Sequence, residues 1–131
     1  MEEQFPFVKS DIQGIIHLYS QRKVMKNPSF IVVLITAKDS AEAEKIIVAL
    51  VEDKLIACAN IIKDIKSIFW WEGKGDKADE ALLILKTKRN LFKKIVKKVQ
   101  TLHSYSVPEV IALPIVEGSQ DYLKWLNESV K

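Results

Sequence analysis

From residue 30 onward the apolar positions switch repeatedly between an unbroken or alternating pattern and a three-to-four-residue spacing. Residues 30–36 are a continuous run in which Ile and Val dominate, which predicts a strand covered on both faces. Ala43, Ile46, Ile47, Leu50 and Val51 then follow a helical stripe that ends near Lys54. Asp39 and Ser40 are N-cap candidates for that helix, and Glu42 stands three residues after Asp39 as in a capping box. Residues 57–62 and 65–71 predict one long strand bent near Lys63-Asp64. Turn residues fill 73–77, and 79–88 is the returning strand. A second helix spans 89–103, with Leu91, Phe92, Ile95, Val96, Val99 and Leu102 inward and Lys93, Lys94, Lys97 and Lys98 outward. Residues 109–116 predict a fourth strand, placed at an edge or a bend because Pro114 has no N–H for a ladder. Ser119 is the expected cap of a closing helix carrying Tyr122, Trp125 and Leu126.

The order β-α-β-β-α-β plus a terminal helix predicts an α+β, ferredoxin-like domain with a four-stranded antiparallel sheet. Two helices cover one face of such a sheet and leave the other bare. The long hairpin sharpens the problem, because neighbours on a strand point to opposite faces. Phe69 and Trp71 lie on one side and Ile68 and Trp70 on the other, all of them apolar. Partner chains are the expected cover: in a homotrimer three sheets pack around an axis while hairpin edges extend neighbouring sheets.

Residues 1–28 read as an N-terminal extension ahead of a domain at 29–131. Ile12, Ile15, Ile16 and Tyr19 suit a short amphipathic helix, and Asn27-Pro28 marks the break before the first strand. The extension offers a docking place for an unidentified protein partner. With 131 residues, 48% apolar and 28% charged, the chain fits a single globular domain with a real core. Its net charge of +3 hides an asymmetry: residues 86–98 hold seven Lys/Arg and no acid, leaving 13 basic against 17 acidic residues elsewhere. This basic helix face lacks interleaved aromatics and Gly-rich loops, so it reads as a solvated surface and not as a nucleic-acid site. No apolar run approaches the length of a membrane span, and the first residues lack the pattern of a secretory signal. One cysteine excludes an internal disulfide and fits a reducing compartment, which places the chain in the cytoplasm, with an organelle left open. The signatures of nucleophilic hydrolases, P-loops and zinc proteases are absent, which argues for a non-enzymatic role.

Two side chains stand out for metal chemistry. Cys58, between Ala57 and Ala59, reads either as a small buried hydrophobe or as a soft ligand for Cu(I). His103 closes the basic helix and reads either as a C-terminal helix residue or as an imidazole ligand.

Five motifs occur in order: Ala57-Cys58-Ala59-Asn60-Ile61-Ile62; Ser67-Ile68-Phe69-Trp70-Trp71-Glu72-Gly73-Lys74; Leu85-Lys86-Thr87; His103-Ser104-Tyr105 with Val107-Pro108-Glu109; and Tyr122-Leu123-Lys124-Trp125-Leu126. Together they resemble the CutA family, the divalent-cation tolerance proteins, over roughly residues 30–127. The resemblance implies a ferredoxin-like homotrimer associated with copper and other divalent metals. It also implies a metal site resting on a histidine at the position of His103, a second just before it and a cysteine at the end of the first strand. Those last two positions are Leu102 and Ile35 here, so Cu(II) or another divalent cation is expected to bind weakly, through His103 before Cys58. Within the same motifs Trp71, Lys86, Tyr105 and Glu109 are candidates for a pocket between subunits. Two rival readings remain: a sensor of small anionic ligands like the trimeric PII-type signalling proteins, with Lys86, Lys88 and Arg89 supplying charge, and a trimeric scaffold for partner proteins.

Overall fold

The computed structural model describes residues 29–131. The expected helix around 11–20, the Asn27-Pro28 break and the extension at 1–28 lie outside the described residues. Eight elements follow in order: β1 (Phe30–Ala37), α1 (Ser40–Glu52), β2 (Cys58–Trp71), β3 (Lys74–Lys88), a 3-10 turn (Arg89–Leu91), α2 (Phe92–Leu102), β4 (Val110–Pro114) and α3 (Gln120–Ser129). The strands form one sheet in the order β2-β3-β1-β4, with every neighbouring pair antiparallel. β4 is an edge strand, as Pro114 at its end demands.

Alternation in β1 separates the two faces. Ile31, Val33, Ile35 and Ala37 are buried, and they pair across β3 with Thr87, Leu85, Leu83 and Ala81. Above them lie Ala43, Ile46 and Leu50 of α1 and Ile95 and Val99 of α2, which complete the core. Complete burial of such an aliphatic side chain contributes about 1.5–3 kcal/mol, so this face holds the protomer together. Val51, expected on the inner stripe of α1, is exposed instead.

The ends of α1 follow their sequence signals with one departure. The Asp39 carboxylate accepts the Glu42 N–H at 2.8 Å, as an N-cap should. Glu42 does not return the bond to Asp39; it accepts from the Lys38 N–H at 3.1 Å and the Ser104 N–H at 3.0 Å. At the other end Lys54 sits in the left-handed region at φ 56°. Its N–H donates to Val51 O, and the Leu55 N–H donates to Leu50 O, the two bonds of a Schellman motif. α3 begins after Ser119, whose side chain makes no capping bond, contrary to expectation.

The hairpin is longer and its turn tighter than the turn residues suggest. β3 starts at Lys74, so Gly75 to Lys77 belong to the strand and Glu72-Gly73 alone make the turn, at φ 51° and 80°. Two successive positive φ values match the twist of the flanking strands. The register shifts between Ile62 and Ile65, where Asp64 takes φ 56°, so the expected bend is an irregularity in the ladder. Beyond it the hairpin has no third strand among the described residues, because β1 ends opposite Ala81. Ile68 and Trp70 on this arm are each 79% exposed.

The face away from α1 and α2 is apolar and largely uncovered. Val32, Leu34, Leu82 and Ile84 occupy its centre and are half-buried. Ile62 on β2 and Ile111 and Leu113 on β4 flank them and are about half exposed, at 46%, 51% and 52%. α3 reaches the Cys58 end of this face through Tyr122.

Candidate functional site

The segment after α2 folds across the end of β1 and is pinned there by its histidine. The His103 side chain is fully enclosed. Its Nε2 lies 2.7 Å from the Thr36 carbonyl and its Nδ1 accepts the Tyr105 N–H at 3.0 Å. A carbonyl accepts only, so Nε2 carries the proton and the ring is a neutral tautomer with both nitrogens engaged. Glu42 lies 3.8 Å from Nδ1. Burial pushes the Glu42 carboxyl up, but hydrogen bonds from Ser104 and the Lys38 backbone outweigh it and leave the group below its ordinary value.

Two residues on, Tyr105 stacks at a tilt on His103 with ring centroids 4.8 Å apart. Its hydroxyl donates to Glu80 Oε2 at 2.7 Å. Burial, and then this bond to a carboxylate, push the Tyr105 hydroxyl up to about 12. The bond ties the loop after α2 to β3, and both residues line a cleft of about 780 Å³. Phe69 and Trp71 of β2 form its aromatic wall; Asp76 and Glu80 line it from β3 and Glu109 from the loop before β4. The two-residue turn sets this arrangement, since it places Phe69 opposite Asp76 and Trp71 opposite Lys74.

Of the four pocket candidates, Trp71, Tyr105 and Glu109 therefore meet in one cleft. Lys86 does not join them. It lies opposite Cys58 on β2, and its ammonium donates to the Asn60 side chain. Cys58 is half-buried, with Sγ 3.3 Å from the Tyr122 hydroxyl. That bond, and then burial, push the Tyr122 hydroxyl up to about 12.

The two metal candidates sit at opposite ends of the sheet. His103 reaches Thr36, opposite Leu82, whereas Cys58 is opposite Lys86, four residues along β3 or about 13 Å. Leu102 and Ile35 are packing residues, Ile35 fully buried in the core and Leu102 half-buried against it. Among the described residues no three His, Cys, Asp or Glu side chains converge in a way that could hold a metal ion. Among those residues, too, no helix is long and apolar enough to cross a membrane.

Sequence reasoning missed Glu80, Asp76 and Phe69 as cleft residues. The signal for Glu80 was present: it is an acid opening an otherwise apolar strand, and it is 8% exposed. Asp76 was hidden by the placement of residues 73–77 in a loop, which erased its alternation with Glu80.

The model of the family described as CutA1 divalent ion tolerance protein matches residues 31–129. A divalent-cation tolerance protein CutA of Thermus thermophilus is 46% identical over 98 residues, covering 75% of this chain and 95% of the relative. The chloroplastic protein CutA of Arabidopsis thaliana is 44% identical over 101 residues, covering 77% of this chain; the match spans 56% of that longer protein. Among solved structures, the Cut A1 divalent cation tolerance protein of Thermus thermophilus superposes with a TM-score of 0.77 at 44% identity, over 78% of this chain and 99% of that one.

Proposed function

The chain belongs to the CutA1 divalent ion tolerance family, and we propose that it acts as a non-enzymatic homotrimer serving tolerance to divalent metal ions such as copper. The uncovered apolar sheet face carries this reading. Val32, Leu34, Leu82, Ile84, Ile111 and Leu113 form a continuous surface that no other described element covers. Identical copies arranged around an axis cover one another's faces, and the unsupported hairpin arm gains a neighbour by the same operation. The ferredoxin-like assignment rests on the β-α-β-β-α-β order and the strand order β2-β3-β1-β4. Light scattering on the full chain tests the assembly: a mass three times the 15.0 kDa protomer is expected, and a stable monomer would remove its basis.

Metal binding in this reading is weak because no ready-made set of ligands exists among the described residues of a protomer. Cu(II) favours imidazole, so His103 is the first donor, but coordination at Nδ1 has to displace the Tyr105 N–H. Cys58 is the secondary donor and suits soft Cu(I). Titration calorimetry with Cu(II) should show weak binding that falls in His103→Ala and persists in Cys58→Ser; the reverse ranking would transfer the site to the thiol. We place the protein in the cytoplasm, with the plastid as the alternative suggested by the plant relative. Residues 29–131 are proposed as the self-sufficient unit, and 1–28 as the place where a partner protein docks if the trimer serves as a scaffold. The anion-sensor reading draws no support from the cleft, where three carboxylates face one ammonium, Lys77.

A further inference from the structure

We propose that the outer side of α1 is a docking groove for this chain's own N-terminal extension, with the stripe of Ile12, Ile15, Ile16 and Tyr19 lying along it. α1 turns Ala43, Ile46 and Leu50 toward the core. Val48 stands on the opposite side of the helix, 47% exposed, with Val51 one turn on at 44%. A shallow groove of about 530 Å³ runs there, and Ala41, Val48, Ala49 and Leu102 of α2 give it apolar walls. Glu44 and Glu52 outnumber Lys45 in the same lining. The groove lies on the helix-covered side of the sheet, away from the apolar face that neighbouring copies would cover. The inference therefore neither uses nor obstructs the trimer.

Spacing, tether and charge together name the occupant. Ala41, Glu44, Lys45 and Val48 recur at i, i+3, i+4 and i+7, the same row as Ile12, Ile15, Ile16 and Tyr19, and such rows interdigitate when two helices pack. The described chain starts beside the groove. The Ser29 carbonyl accepts the Arg89 N–H at the foot of α2, and Thr87, two residues before Arg89, donates its hydroxyl to Leu55 O just past the end of α1. Nine residues separate Tyr19 from Ser29 and can span up to about 30 Å, whereas the 13 residues of α1 measure about 20 Å. Those nine carry Arg22, Lys23 and Lys26 and no acid, so they pass favourably by Glu52 and Glu44. The outer side of α2 holds Lys93, Lys94 and Lys97 and repels the same segment. A second copy of α1 suits the groove less well, because it would set Glu44 and Glu52 against their own counterparts.

Hydrogen exchange read by mass spectrometry on the full chain tests the docking. Amides of residues 12–20 are expected to exchange about tenfold or more slowly than in Val48→Asp, where they should approach the rate of a free peptide. Val48 is exposed, so this variant keeps its core. Glu52→Lys should lower the protection by a smaller factor, and Lys93→Glu on α2 should not lower it. As a second measurement, Ile16→Cys with Val48→Cys in a Cys58→Ser background should close a disulfide within one chain on oxidation. Free exchange of 12–20 in the wild type, protection that persists in Val48→Asp, or a disulfide that joins two chains instead of one would each overturn the inference. A trimer whose residues 12–20 exchange freely defeats this proposal alone, whereas a monomer with those residues protected defeats only the assembly reading.

Discussion

Both ends of the β2-β3 ribbon carry large apolar side chains, and these meet opposite fates. At one end Leu83 and Leu85 are fully buried beneath the helices, flanked by Ala59 and Ile61 of β2. At the other, Ile68 and Trp70 project from a two-stranded arm and are 79% exposed. A ribbon of two strands is marginal by itself, and large apolar side chains held in water favour association. The contrast teaches that apolar content marks a strand as needing cover but does not say which chain supplies it.

The largest expected effect comes from the exposed end. Trp70→Ala should cost about 3–5 kcal/mol per ring if a neighbouring protomer buries it, read as a fall in mass by light scattering on dilution. An unchanged mass would break the comparison, since the arm would then be bare by design. Ile46→Ala acts on the opposite side, opening a cavity in the helix-covered core and costing about 2–5 kcal/mol in chemical denaturation. Molecules of that variant that remain folded should keep the wild-type mass.

A smaller effect is expected from Tyr105→Phe, which loses the bond to Glu80 and about 1 kcal/mol with it. Its pH signature is more telling. The folded Tyr105 hydroxyl, at about 12, lies above its ordinary value of 10.0. The stability this shift contributes is full below about pH 10 and lost as pH rises through about 12. Denaturant midpoints measured across that window should fall less steeply in Tyr105→Phe, with a residual slope from Tyr122, which is raised to the same region. A slope equal to wild type would show that burial and the bond to Glu80 do not hold the Tyr105 proton in the folded state.

The smallest change is a gain. Lys54→Gly relieves a left-handed residue at the end of α1 and should stabilise by about 0.5–1 kcal/mol, after the entropy that glycine adds to the unfolded chain. It lies on the helix-covered side, so a raised melting temperature with unaltered mass sharpens the separation between the two ends.

What could be read in advance follows the range of each interaction. Strand and helix periods, the Asp39 cap, the bend near Asp64 and the edge position of Pro114 depend on neighbours a few residues apart, and these agree with the structure. Errors arose where one residue of register mattered. Treating 73–77 as loop hid the alternation that carries Asp76 to the Glu80 side, although the Glu72-Gly73 pair was in plain view as turn chemistry. Lys86 was grouped with Trp71 because both fall in recognisable motifs; alternation puts it on the same face of β3 as Glu80, but six residues, or about 20 Å, separate it from the cleft.

The sequence by itself determined the elements, their order and the surplus of apolar strand surface, because backbone sterics and side-chain period act locally. The tertiary structure decided which polar atoms meet. Tyr105 finds Glu80 25 residues away, Cys58 finds Tyr122 64 residues away, and His103 finds the Thr36 carbonyl 67 residues away. Such contacts depend on strand register, sheet twist and the path of a loop across a sheet end, which no local pattern encodes. They hold the His103 ring against the end of β1 and bring the Glu80 carboxylate to the Tyr105 hydroxyl.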